Sequence, residues 1–153
     1  MTRASIAEAR AFQSWQDYQD ALKRAIAPLS KEQLQRKLLP GLRTPGEIAE
    51  HIVFGRALHL QRTLGEVAAA LTPLIRWEDA DDPPHTADEI VQGLELTWQF
   101  ITDCLMRGSP TAAMTEEEVT IVQTIWGLLD HDLPHAGELS LLLGADSLPG
   151  VEI

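Results

Sequence analysis

Apolar residues along this chain recur at spacings of three and four. Ile90, Leu94, Thr97, Ile101 and Leu105 follow that spacing, and Val91 and Trp98 widen the stripe. Phe12, Trp15, Leu22, Ile26 and Leu29 form a second stripe, and Val122, Trp126, Leu129, Leu133 and Ala136 another. Such spacing puts the apolar side chains on one face of an α-helix. No convincing run alternates with the period of two that a half-buried strand needs.

Polar start signals precede the stripes. Ser5-Ile6-Ala7-Glu8, Thr44-Pro45-Gly46-Glu47, Thr86-Ala87-Asp88-Glu89 and Thr115-Glu116-Glu117-Glu118 all fit the capping box. There the hydroxyl accepts from the backbone three residues on, and the glutamate reaches back to the cap's own N–H. Pro45 falls where a helix tolerates proline best. Pro28 stops the first helix near Ala27, and the second ends between Gly65 and Thr72. Gly108 and Pro110 close the third, and Gly144 the fourth. Thr72 to His85, with the run Asp79 to Pro84, reads as a loop, because paired prolines and clustered aspartates do not continue a helix. A short extra helix is predicted over Ser30 to Lys37. The expectation is an all-α four-helix bundle, with residues 1–153 forming a single domain.

Composition narrows the function classes. With 23 acidic against 12 basic side chains, the chain carries a formal charge of -11, which repels phosphate backbones. No nucleic-acid partner is expected. The longest apolar stretches fall well short of the ~20 residues that span a bilayer, so no membrane partner is expected either. The single cysteine, Cys104, cannot form an internal disulfide. The N-terminus shows no signal-peptide pattern. A cytoplasmic protein is the expectation.

Candidate chemistry lies in the five histidines. His85 falls in the acidic loop and reads as solvated, with no role. His131 and His135 are four apart, so they project from one face of the fourth helix. That pair can bind one ion, or can simply lie on the surface. Glu138, three further on, reads as an acceptor that fixes an imidazole tautomer, or as a solvated helix charge. His51 lies on the apolar stripe of the second helix, flanked by Ile48, Ile52 and Gly55. A buried imidazole needs a partner: an ion, a backbone carbonyl, or Glu47 one turn back. Gly55 removes a side chain near His51, leaving room for an ion or permitting a close helix crossing. Three neutral imidazoles plus water make an open site of the catalytic kind. Pro134, between the last two histidines, predicts a kink or local bulge.

Two segments carry a family resemblance. Thr44-Pro45-Gly46-Glu47-Ile48-Ala49-Glu50-His51, followed some eighty residues later by Leu128-Leu129-Asp130-His131-Asp132-Leu133-Pro134-His135-Ala136-Gly137-Glu138-Leu139, resembles the DinB-like superfamily. The resemblance implies an up-down-down-up four-helix bundle, a homodimer, and a nickel, zinc or similar divalent ion on His51, His131 and His135. It implies a metal-dependent enzyme, a transferase or hydrolase, acting on a small-molecule substrate. The finer expectation is a thiol-dependent S-transferase using mycothiol, bacillithiol or glutathione. The first ligand position on helix four is often glutamate in the related maleylpyruvate isomerases. Here it is His131, which argues against that branch. Pro134 also departs from the commoner residues there.

Arg56 is weighed as an anchor for an anionic cofactor against a plain surface cation. His59, about 80° around the helix from His51, is not expected to ligate. Trp98 and Trp126 read as core or as pocket lining. No catalytic residue is singled out. The alternative to an enzyme is a non-catalytic, dimerising, stress-associated metal-binding bundle. A further reading has no metal, with the three histidines on separate surfaces.

Overall fold

The computed structural model describes residues 3–107 and 115–152. Among them, every regular element is helical. Four long helices dominate: α1 (Arg3–Ile26), α3 (Pro45–Leu64), α5 (Ala87–Arg107) and α6 (Glu116–Ala145). Two single-turn helices, α2 (Lys31–Leu34) and α4 (Thr72–Ile75), lie between them.

The start signals work locally as capping requires. The Thr44 hydroxyl accepts from the Glu47 amide at 3.1 Å, and the Glu47 carboxylate takes the Thr44 N–H at 2.6 Å. Thr115 and Glu118 repeat the exchange at the head of α6, and Thr86 and Glu89 at the head of α5. Each such cap removes orphan donors that would weaken the first turn by about 1 kcal/mol. Ser5 is not a cap, because α1 already runs from Arg3. Ser30 and Gln33 form an additional box at the head of α2. The proposed stops at Gly108 and Pro110 lie outside the described residues.

Helix α3 is the centre of the molecule and packs against α5 and α6. Ile48, Ile52 and Leu60 of α3 are fully buried, as are Leu22 and Ile26 of α1, Ile90, Leu94 and Ile101 of α5, and Ile125, Leu139 and Leu143 of α6. Each contributes roughly 1.5–3 kcal/mol relative to exposure. Trp15, Trp98, Trp126 and Phe12 cluster at one side of this core, with Trp15 and Trp126 ring centres 5.2 Å apart. The two outer tryptophans are therefore core rather than pocket lining.

Two expectations need correction. Thr72 to His85 is not all loop: a 3₁₀ run over Gly65–Leu71 leads into α4, and a further 3₁₀ turn covers Arg76–Glu78. The buried stripe of α6 is not the one the apolar spacing picks out. It runs through Ile125, Leu128, Asp132, Ala136 and Leu139, while Leu133 is exposed. A buried aspartate occupies the inner face, so a pattern drawn from apolar residues alone lands about one position off. Pro134 lies inside the continuous span of α6.

Candidate metal centre

The three histidines expected to share an ion come together where α3 crosses α6. His51 sits in the second turn of α3, and His131 and His135 stack one turn apart on α6. Ring centres are 5.3 Å apart for His51 and His131, 4.5 Å for His51 and His135, and 4.9 Å for the α6 pair. One ligand nitrogen from each lies within 4.8 Å of the others. An ion bonded at about 2.0–2.1 Å to each nitrogen asks only a slight inward movement of the rings.

Gly55 makes this crossing possible. A Cβ there would lie 2.3 Å from Cε1 and 2.7 Å from Nε2 of His131. Any side chain would displace that imidazole. The glycine makes room for a ligand from the neighbouring helix, not for space beside His51.

Every imidazole in the cluster has a carboxylate at its Nδ1. His51 meets Glu78, His131 meets Asp132 at 3.3 Å, and His135 meets Glu138 at 3.6 Å. A carboxylate on Nδ1 favours the tautomer with the proton there, leaving the Nε2 lone pair for a cation. Burial holds the His135 pKa below its ordinary value, and the charges of His51, His131 and Arg43 push the same way. The neutral form, which is the ligating form, is thereby favoured. Of the three carboxylates, only Glu138 was foreseen. Asp132 carried a usable signal, being an acid beside a histidine on a helix. Glu78 carried none, because its 3₁₀ turn meets His51 only through the fold.

Asp132 joins this cluster to a second one. Its side chain is fully buried, and its other oxygen accepts from Arg56 Nε at 2.6 Å. Arg56 Nη1 donates to Gln19 at 2.6 Å, and Gln19 donates to the Leu94 carbonyl at 3.2 Å. Tyr18 donates to the Asp132 carbonyl at 3.4 Å. Burial, then the Asp132 charge, raises the tyrosine pKa well above its usual range. Arg56 is thus neither a surface cation nor open to an anchored cofactor. It is fully buried and holds the carboxylate that holds His131.

The remaining histidines lie outside the triad. His59 donates from Nδ1 to the Gly55 carbonyl at 2.7 Å, with its ring centre 5.9 Å from that of His131. His85 is not solvated. It stacks on Trp77 at 4.0 Å, and its backbone N–H donates to Glu50 at 2.7 Å. Its ring nitrogens lie 3.5 Å from Glu50 and 3.4 Å from Asp82, pinning the chain before α5 onto α3.

A groove of about 450 Å³ adjoins the cluster, lined among others by Glu78, Trp77, Arg43 and Lys37. Glu78, on its wall, also contacts His51. No described helix is long and apolar enough to cross a membrane. No curated protein and no solved structure matches the chain. The family model for the DinB superfamily matches residues 14–139, which takes in all three histidines. The chain belongs to the DinB superfamily.

Proposed function

We propose that the chain is a divalent-metal-dependent enzyme of the DinB superfamily, its ion held by His51, His131 and His135. The finer reading is an S-transferase using a low-molecular-weight thiol in an up-down-down-up bundle. The observation that carries the proposal is the convergence of the three imidazoles from two helices. One ring nitrogen of each lies within 4.8 Å of the others, and a carboxylate stands near each Nδ1. A nickel, zinc or similar ion bound there lowers the pKa of a coordinated thiol or water and polarises a carbonyl. Three protein nitrogens leave a fourth position for that ligand.

The chain's own residues do the rest. Glu78, Asp132 and Glu138 set the imidazole tautomers. Arg56 keeps Asp132 in place. Gly55 lets His131 approach α3. Reading the donors as a thiol-activating centre also draws on their chemistry, since imidazole nitrogens accept several first-row divalent ions without fixing which.

Metal content of protein purified without a histidine tag is the direct test. We expect about one ion per chain, lost in both His51→Ala and His135→Ala. Equal metal content in the parent and both variants would refute a shared site. Screening the loaded protein with mycothiol, bacillithiol and glutathione against a generic electrophile then tests the transferase reading. The second reading is a non-catalytic metal-binding bundle that dimerises. It draws on Leu133 and Leu141, large apolar side chains left exposed on α6. Bound metal without thiol-dependent turnover would favour it.

A further inference from the structure

The groove beside the imidazoles has an uneven charge inventory. Four carboxylates line it, and each is already engaged. Glu47 caps α3 through the Thr44 N–H, and Glu50 accepts from His85. Glu78 holds His51, and Asp79 pairs with Arg76 at 3.2 Å. The two cations of the groove, Lys37 and Arg43, have no hydrogen bond or ion pair among the described residues. In a chain of formal charge -11, acidic partners are abundant, yet these two side chains have none.

We propose that this groove seats a small molecule bearing an oxyanion, which Arg43 grips and Lys37 supplements. This rests on the metal-centre reading for its meaning: the anion holds the molecule while its reactive end lies toward the imidazoles. Guanidinium is suited to the task, because its planar fork takes a carboxylate or phosphate through two parallel hydrogen bonds. Leu42 and Trp77 supply apolar wall, so the rest of the molecule has non-polar surface to rest on. The volume, about 450 Å³, is that of a small-metabolite site.

The test separates this inference from metal binding by using metal-free protein. Succinate and inorganic phosphate are titrated separately, following the Gly41 backbone amide and the Trp77 indole by nuclear magnetic resonance. We expect saturable shifts at both reporters with at least one anion, and the better binder identifies the head group as carboxylate or phosphate. Arg43→Gln should weaken binding about three- to tenfold and Lys37→Gln less, as for partly exposed charge-assisted pairs. Both side chains are exposed and unpartnered, so neither variant loses a folding contact. The proposal is overturned if neither anion shifts the reporters saturably, or if Arg43→Gln binds as tightly as the parent. Metal content is measured on the same preparations. Lost metal binding with an intact anion titration would defeat the metal centre alone.

Discussion

Two polar clusters occupy the same helix crossing, and they have opposite characters. Arg56 and Asp132 are fully buried, and nearly every polar atom in their network has a protein partner; the exception is Arg56 Nη2. His51, His131 and His135 are only partly buried, and each has one nitrogen engaged and one left over. A closed network fixes geometry. A network with a leftover valence at a reachable position can take a ligand. Asp132 belongs to both, with one oxygen toward each. The buried cluster therefore serves as the rigid backing of the open one.

Breaking the backing should have the largest effect. Arg56→Met leaves Asp132 buried and unpaired, and removing one partner of a buried ion pair costs about 3–5 kcal/mol. The urea midpoint should fall accordingly. Adding Asp132→Leu to Arg56→Met should recover part of that loss, because no buried charge then remains, although Gln19 still lacks its donor. The double variant should still bind metal less tightly, since His131 has lost its carboxylate. A loss below about 1 kcal/mol in Arg56→Met would mean that the pair is solvated, and the distinction between the two clusters would fail.

The sequence makes the helices legible, and the pairing of two of the three clustered histidines as well. The α5 stripe is read correctly at Ile90, Leu94, Thr97 and Ile101 because it contains no charged member. The α6 stripe is misplaced because Asp132 stands where an apolar residue is expected, and its partner Arg56 is 76 residues away. The same separation makes Arg56 look like a surface cation. His131 and His135 are joined by helical spacing alone. His51 joins them through the family resemblance, since nothing local distinguishes a ligand from a core histidine. Glu78 and the buried stacking of His85 are products of tertiary approach. A reading of local composition sees only an acidic, proline-rich loop there.

The open cluster is probed more gently through its carboxylates. Glu78→Gln keeps the shape but removes the charge at His51 Nδ1. Outer-shell changes of this kind typically cost 10–100-fold in metal affinity, and competition with a chelator would measure it. Folding stability should change little, because the Glu78 side chain is 40% exposed. Glu138→Gln should cost less than Glu78→Gln, since Glu138 stands 3.6 Å from its imidazole. Together the two variants rank the supports of the open cluster without touching its ligands. Equal affinity in Glu78→Gln and the parent would leave the imidazole orientation resting on packing alone.

The smallest expected effect lies at the far end of α6, and it asks how far the two clusters are insulated. The Thr115 amide, then its hydroxyl, hold the Glu118 carboxyl below its ordinary value. A carboxylate with a depressed folded pKa adds stability above its unfolded value, and that stability is lost as pH falls through the lower, folded one. Thr115→Val removes the hydroxyl but keeps the amide, so the Glu118 pKa should rise part of the way back. A carboxyl-carbon resonance titration would follow it. Glu118 is fully exposed, so the effect should stay within the first turn of α6. His131 lies more than three turns further along the same helix. Metal affinity should therefore match the parent. A tenfold drop would mean that strain at the cap travels down α6 to the imidazoles, and Arg56 with Asp132 would not be the rigid backing that the crossing geometry implies.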